Sequence, residues 1–410
     1  MKVRTIIYIL FAFVSVGLLV FFNIFQQQQQ HGQQQQQQGH VPQSHGHSIE
    51  HHNSKLRGNS STYYESRTEP HIPPSKPTIV KKIAYAITIT KDGPFLDGAL
   101  VLGYSAMEAH KHSTEYSAEL VAFVTPEVTH ARKVLASFGW RILERDIPVS
   151  LEEIENKNYV TKMKDSGCCG ASEFVKLWAY TLVEYHRVVH LDMDTIIYKN
   201  MDELFEINSE LLFTGDYGMK GGSPVPPVQG GFLVIRPSVS RFEELRGIIR
   251  KGDFGSAGWG GSHIGNFWGG QTVQGILAYF YHSVHPGESQ ELNRCIYNCM
   301  VDNPYKAGTT RCLDGNATCE DCRLQRIENV ASAHFTICQK PWTCTFHNNP
   351  RNQALCTDLH DKWFSFRDSF EKSLHIDSSY RYTATRYKNS LGMCKGYGEK
   401  KYIPIPHAVN

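Results

Sequence analysis

The chain has 410 residues, with 42 basic residues against 40 acidic ones and a formal net charge of +2. That length suffices for one large domain or two ordinary ones, and the charge balance argues against a nucleic-acid-binding protein, which carries a strong basic excess. At 41% hydrophobic and low net charge the chain as a whole is not disordered. Eleven cysteines are many for a cytosolic enzyme, and their odd number leaves at least one without an intrachain disulfide partner.

Residues 1–5 form a short tail carrying Lys2 and Arg4. From Ile6 the chain is apolar, broken only by Ser15 and Gly17 before Phe22, and it resumes after Asn23 to Phe25. About 20 such residues cross a bilayer as a helix. A cleaved signal peptide would need a shorter apolar core and a small-x-small site, whereas Phe25 runs straight into Gln26. The reading is an uncleaved transmembrane signal anchor over residues 6–25. The preceding charges keep the N-terminus cytoplasmic. The rest of the chain is then lumenal: a single-pass type II protein of the Golgi or another secretory-pathway membrane. Residues 26–80, rich in Gln, His, Ser and Pro, read as a disordered stem. Its histidines (His31, His40, His45, His47, His51, His52 and His71) lack metal-ligand spacing. Asn59-Ser60-Ser61 is a glycosylation acceptor pattern.

From residue 81 strands alternate with helices. Ile83 to Thr90 reads as a strand, Gly98 to His110 as a helix, and Leu120 to Val124 as a second strand. Thr125-Pro126 is expected to open a helix ending before Gly139, followed by a short strand from Trp140 to Leu143. Ser172 is expected to cap an α-helix, and Val188 to Leu191 is a fourth strand. Leu211 to Thr214 and Gly231 to Ile235 are further strands, and Ser238 to Arg250 a helix. Such alternation implies a mostly parallel sheet with helices on both faces, binding ligands beyond the carboxyl ends of its strands. Nine glycines stand from Gly252 to Gly275, with Trp259 and Trp268 among them. They mark either a floppy loop or one whose backbone approaches a ligand.

Asp192-Met193-Asp194 follows the fourth strand. In an extended chain residues i and i+2 point to one side, so two carboxylates would converge there. A hard divalent cation relieves their repulsion and would also meet substrate phosphates. Haloacid-dehalogenase-like phosphatases also carry Asp-x-Asp at a strand end, with Thr or Val four residues after the nucleophile. Here that position is Ile196, the Thr comes one residue early at Thr195, and three strands precede the motif.

A series of blocks points elsewhere. In order they are Thr88-Ile89-Thr90-Lys91-Asp92, the run Gly98 to Gly103, Lys176-Leu177-Trp178, and His190 to Thr195. Asp202-Glu203-Leu204-Phe205, Gln229-Gly230-Gly231-Phe232, Arg236-Pro237-Ser238, Gln274-Gly275-Ile276-Leu277, His334-Phe335 and Lys340-Pro341-Trp342 follow. With these, residues 82 to 345 resemble the glycogenin-like retaining transferases of glycosyltransferase family 8. The resemblance implies a GT-A (Rossmann-like) α/β nucleotide-sugar transferase domain over residues 81–345, with a cysteine-rich insert at about 295–325 and a C-terminal extension over 346–410.

It further implies that Asp192, Asp194 and His334 hold a metal, Mn²⁺ rather than Mg²⁺ given the imidazole. Lys340 would offset the diphosphate charge. Lys176, Asp216 and Gln274 would work at the donor sugar, with Gln229, Gly230 and Gly275 around it and Thr88 and Thr90 near the nucleotide; Asp192 would also approach the sugar or ribose. The expected substrates are a UDP-linked hexose or hexuronic acid and a glycan, protein or small-molecule acceptor. Val273 stands where the family has an acid, Gln229 where it has Asn, and Phe95 nearest its nucleotide-loop aromatic. No residue matches the tyrosine that glycogenins glucosylate on themselves. Two rivals remain: a phosphohydrolase with Asp192 as nucleophile, and a catalytically dead carbohydrate-binding protein.

Cys295, Cys299, Cys312, Cys319, Cys322, Cys338, Cys344 and Cys356 crowd together. In a cytosolic chain these spacings would suggest zinc, but behind a signal anchor disulfides are the better reading, with connectivity open. Cys168-Cys169 has no assigned partners. Asn316-Ala317-Thr318 is a second glycosylation acceptor pattern. Asp361 to Ser373 reads as an amphipathic helix packed on the domain, and the basic, tyrosine-rich tail from Tyr380 carries no assigned role.

Overall fold

Between Ile83 and Ile89 the side chains alternate between two apolar cores. Ile83, Tyr85, Ile87 and Ile89 enter one, and Ala84 and Ala86 enter the other. Burial on both faces marks a strand of a covered, mainly parallel sheet. This strand, β1 (Lys81–Ile89), is central in the computed structural model, which describes residues 80–164, 170–345, 350–382 and 388–406.

Beside β1 lie β2 (Tyr116–Val124) and β4 (Arg187–Leu191), both parallel to it, and β3 (Arg141–Glu144) continues beyond β2. Beyond β4 come β7 (Val228–Ile235), β6 (Leu211–Gly215) and β10 (Ser289–Glu291). The order is β10-β6-β7-β4-β1-β2-β3, with β7 antiparallel to both neighbours and the other pairings parallel. Two small ladders stand apart. One pairs β5 (Thr195–Ile197) with β11 (Ser332–His334), and the other pairs β8 (Phe254–Gly255) with β9 (Gly258–Trp259). The chain leaves β1 for β2 and β3, then returns on the other side of β1 as β4. At that reversal the carboxyl ends of β1 and β4 open a crevice.

The helices correct the sequence reading in three places. α1 (Phe95–His110) lies close to its expected bounds. No helix opens at Thr125-Pro126; the chain turns there, and α2 (His130–Ser137) begins after Thr129. The cause is Asp92, from the loop after β1. Its Oδ2 accepts from the Thr129 N–H and hydroxyl, both at 3.0 Å, and from the His130 N–H at 3.1 Å, while Oδ1 accepts from the Ala131 N–H at 2.8 Å. A carboxylate distant in sequence thus caps the helix, which no local pattern reveals. Burial pushes this carboxyl up, but the four hydrogen bonds outweigh it and bring the pKa to about 2.

After α3 (Lys157–Lys164), the segment Gly170–Thr181 is a 3₁₀ helix rather than the expected α-helix. Three residues per turn align Phe174, Leu177 and Tyr180, all buried, and bring Glu173 over Lys176. α4 (Val239–Lys251) fits its expected bounds, with the Ser238 hydroxyl accepting from the Arg241 N–H and Gly252 left-handed at its end. α5 (Val273–Tyr279) follows the glycine-rich loop. The third correction is α6 (Pro350–Ser373), which starts eleven residues before the expected Asp361. Its Trp363 and Phe364 are buried in the same core as α1. In the tail, the Tyr402 hydroxyl and the Ile405 N–H both donate to Asp97 Oδ2 at 2.8 Å, fastening the tail to the first turn of α1.

Four disulfides join Cys295–Cys322, Cys312–Cys319, Cys338–Cys356 and Cys344–Cys394. Cys319 and Cys322 therefore go to different partners, and Cys299 is buried without a disulfide. Contact clustering divides the chain into Thr78–Pro304 with Cys312–Asn410, and Met1–Pro77 with Tyr305–Arg311. Of the second unit only Tyr305–Arg311 is described, a turn in which the Lys306 N–H donates to the Arg311 carbonyl at 2.9 Å. The expected tail, anchor and stem up to residue 79, and Cys168-Cys169, lie outside the described residues. Among the described residues no helix is long and apolar enough to cross a membrane.

Asp92→Ala is expected to destabilise the fold by about 1 kcal/mol, as other lost caps do. Because the folded carboxyl titrates below the ordinary range, its contribution is present above about pH 4 and fades as pH falls through about 2. Melting curves of both proteins at neutral pH and near pH 3 test this; a gap that widens on acidification would contradict it. Opening a disulfide typically costs about 2–5 kcal/mol, so a reductant should lower the melting temperature. Peptide mapping under non-reducing conditions should return the four pairings above.

Candidate active site

β4 is buried throughout and ends at Leu191. The next amide, Asp192 N–H, donates to the Gly231 carbonyl at 3.1 Å and ties the strand end to β7. The chain then turns. The Thr195 N–H and hydroxyl both donate back to the Asp192 carbonyl, at 3.0 and 2.7 Å. This turn, rather than the extended run assumed from sequence, converges the two carboxylates. β5 follows at once and pairs with β11, whose last residue is His334, and the Phe335 N–H donates to the Asp194 carbonyl at 2.8 Å. Asp192, Asp194 and His334 thereby offer donor atoms that all lie within 4.8 Å of one another.

Each carboxylate has its own lysine. Lys176, buried on the 3₁₀ helix, places Nζ 2.8 Å from Asp192 Oδ1 and 2.7 Å from Glu173 Oε2, and donates to the Gly230 carbonyl at 3.3 Å. Lys340 places Nζ 2.8 Å from Asp194 Oδ2 and 5.7 Å from the Phe95 ring centre. His334 Nε2 lies 3.2 Å from Asp194 Oδ1, and its buried Nδ1 has no hydrogen-bond partner. Burial lowers the Lys176 pKa, but Asp192 and Glu173 outweigh it and hold the ammonium charged. Burial raises Asp194 too, yet His334 and Lys340 bring it well below the usual range. For Asp192 burial prevails over Lys176, and its pKa is raised.

Within β7, Gly231 makes room for this cluster. A Cβ at Gly231 would lie 2.4 Å from His334 Cε1, so only glycine lets the imidazole reach the carboxylates. A Cβ at Gly230 would lie 3.5 Å from Lys176 Nζ and 3.7 Å from Gln274 Cγ. Gln229 turns its Oε1 to the Gly231 N–H at 2.6 Å and to Asn298 Nδ2 at 3.3 Å. Gln274 stands in the first turn of α5, against Gly269. Lys176, Gln229, Gly230, Gln274 and the metal triad are thus brought together.

The remaining expected residues are placed less directly. The Thr88 hydroxyl, at the carboxyl end of β1, is 2.9 Å from His190 Nε2, and the Thr90 carbonyl accepts from the Thr125 hydroxyl at 3.1 Å. A Cβ at Gly275 would lie 1.9 Å from the Gly270 carbonyl oxygen, which makes it a backbone-packing position. Asp216, after β6, accepts from the Met219 N–H at 3.2 Å. Burial and the nearby charge of Asp302 raise its pKa to about 6. Val273 is fully buried among apolar side chains. Sequence reasoning missed Glu173, which neutralises Lys176, Asn298, which orients Gln229, and Asp302. Glu173 stands three residues before Lys176, a spacing that brings the two side chains together in an α- or a 3₁₀ helix and was the available signal. Asn298 and Asp302 gave none.

Three carboxylates face two lysines in this buried cluster, with an imidazole beside them. Mixed oxygen and nitrogen donors around surplus negative charge suit a divalent cation, and the donor atoms of Asp192, Asp194 and His334, all within 4.8 Å of one another, fit one here.

No family model matches the chain. Glycogenin-1 of Homo sapiens is 26% identical over 276 residues, 67% of this chain and 66% of that protein. The chain thus spans about two thirds of the length of that relative. Inositol phosphorylceramide glucuronosyltransferase 1 of Arabidopsis thaliana is 28% identical over 165 residues, 40% of this chain and 26% of that protein. Among solved structures, galactosyltransferase LgtC with donor and acceptor sugar analogues is 14% identical at a TM-score of 0.41, covering 70% of this chain and 95% of that one. The likeness to glycogenins over two thirds of the chain agrees with the blocks read from the sequence and supports a glycogenin-like glycosyltransferase of family 8, built on a mostly parallel α/β sheet.

Proposed function

We propose that the chain is a metal-dependent retaining hexosyltransferase that moves a hexose or hexuronic acid from a UDP-sugar to an acceptor hydroxyl. The observation that carries this is the convergence of Asp192, Asp194 and His334, flanked by Lys176 and Lys340, within a glycogenin-like sequence. In the transfer, the acceptor oxygen bonds to the anomeric carbon and the bond from that carbon to the diphosphate oxygen breaks. The acceptor proton ends on the departing diphosphate. Retention of configuration follows from the family likeness.

Asp192, Asp194 and His334 would hold Mn²⁺, which a borderline imidazole ligand favours over Mg²⁺. The bound cation would neutralise charge developing on the leaving diphosphate. Lys340, half-buried beside Asp194, is placed to add a second positive charge there. Lys176 opposes the effect of burial on Asp192 and donates to the Gly230 carbonyl, and Gln229 and Gln274 present amides to sugar hydroxyls. Asp216, with its raised pKa, serves the same pocket as a hydrogen-bonding carboxyl. A phosphohydrolase reading is less favoured, because Asp192 as nucleophile would be engaged by Lys176. A carbohydrate-binding protein without activity would have no use for the complete triad.

The proposal extends to location: a type II membrane protein with its catalytic domain in the lumen of the Golgi or another secretory compartment. Four disulfides suit an oxidising lumen, and Asn316 is exposed within the loop closed by Cys312–Cys319.

Asp192→Asn, Asp194→Asn and His334→Ala should each slow sugar transfer by roughly 10²- to 10⁴-fold, the equivalent of about 3–5 kcal/mol of lost diphosphate stabilisation. Excess Mn²⁺ should partly rescue His334→Ala and rescue Asp194→Asn less. Lys340→Ala should raise the donor KM as well as lower kcat. UDP-hexose hydrolysis and transfer, followed against Mn²⁺ concentration with circular dichroism as folding control, decide this; near wild-type transfer by both aspartate variants would remove the metal-site assignment. For the location, an endoglycosidase for N-linked glycans should lower the apparent mass of the protein expressed in a eukaryotic host. Cytosolic protease access to the C-terminus would reverse the orientation.

A further inference from the structure

The glycine-rich loop between α4 and α5 is tightly built, not floppy. Trp259 Nε1 donates to the Gly270 carbonyl at 2.8 Å and the Tyr159 hydroxyl to the Gln271 carbonyl at 2.7 Å, from below. Within the loop the Gly270 N–H donates to the Phe267 carbonyl at 3.0 Å, and Asn266 Nδ2 to the Ser256 carbonyl at 3.0 Å. Glycines let its backbone pack on itself, since a Cβ at Gly270 would lie 1.9 Å from the Gly265 carbonyl oxygen. Yet this rigid loop carries Trp268 at 58% exposure, with buried glycines after it, while Trp140, Trp259, Trp342 and Trp363 are all buried.

Single exposed apolar residues are ordinary; the surroundings of this one are not. Its neighbour Gly269 abuts Gln274, where a Cβ would lie 2.7 Å from Oε1. On the other side, a Cβ at Gly221, in the loop that follows Asp216, would lie 3.0 Å from the Asn266 carbonyl oxygen. Trp268 is therefore mounted between the two segments that carry Gln274 and Asp216, at the outer edge of the candidate sugar pocket. An indole carried on this fixed backbone has only two side-chain torsions to lose on binding and offers a large flat apolar face.

We propose that Trp268 is the stacking platform for the acceptor, and that the acceptor is a saccharide whose pyranose ring lays its C–H face on the indole. A pyranose has such an apolar face; a peptide hydroxyl on a flexible side chain does not. This rests on the hexosyltransferase reading above, with Gln274 and Asp216 on the donor side.

The test uses the full-length protein with UDP-glucose, UDP-galactose and UDP-glucuronic acid as donors. The acceptors are methyl β-glucopyranoside and methyl β-galactopyranoside and, in parallel, serine-, threonine- and tyrosine-containing peptides. Wild type should transfer to a pyranoside. Trp268→Ala should raise the acceptor KM roughly tenfold or more, while hydrolysis of the donor without acceptor stays within about twofold. Trp268→Tyr, which keeps a ring, should recover most of the loss. Transfer to peptides alone, or a wild-type acceptor KM in Trp268→Ala, overturns the inference and leaves the hexosyltransferase reading standing. Absence of all donor turnover in wild type overturns both.

Discussion

The structure turns on the pairing of the carboxylates Asp192 and Asp194 with Lys176 and Lys340. Two acids brought together at a buried strand end repel each other, and burial penalises both charges. Asp194 stays ionised because His334 and Lys340 face it, and Asp192 has Lys176 within 2.8 Å. The pairing is incomplete, since Glu173 draws on Lys176 as well. A buried cluster one positive charge short is costly in isolation and suited to a cation. What makes the site a candidate active centre is also what makes it an unfavourable piece of structure without a ligand.

That constraint reaches into the surrounding fold. The 3₁₀ helix places Glu173 and Lys176 one turn apart, so the lysine enters the site already paired. β7 must lack a side chain at position 231 so that His334 can approach across it. At Gly98 a Cβ would lie 2.5 Å from the Met193 carbonyl oxygen and from the Trp342 ring, so α1 packs directly on the turn between the two aspartates. Glycines spread along the sequence thus serve one purpose, close approach to a single turn.

Six strands of the main sheet were legible from their apolar, largely β-branched runs, and the helix from Ser238 because its cap and its final glycine are local, whereas β5, β8, β9, β10 and β11, of two or three residues each, left no such run. The Asp-x-Asp pair was legible too, but for a reason that needs amending: a turn, not an extended strand, aims the two acids. What escaped was non-local. The start of α2 is set by Asp92, 38 residues before His130. The orientation of Gln229 depends on Asn298, 69 residues away. A 12-residue 3₁₀ helix shares its apolar spacing closely enough with an α-helix that only the tertiary packing separates them.

The C-terminal extension, unreadable in function from its sequence, is the other support of the site. Lys340 lies between Cys338, bonded to Cys356 on α6, and Cys344, bonded to Cys394 in the tail. Trp342 packs edge-on against Phe95 at 5.6 Å, and Phe95 also faces Lys340. The tail is fastened in turn to Asp97 through Tyr402 and Ile405. Lys340 has a long, flexible stem with much rotamer freedom to lose. Two covalent links around its short segment restrict the backbone that carries it, so that only the side-chain torsions remain to be ordered when the ammonium meets Asp194. The extension follows the last block of the glycogenin-like region, yet it restrains the segment that sets Lys340 beside Asp194.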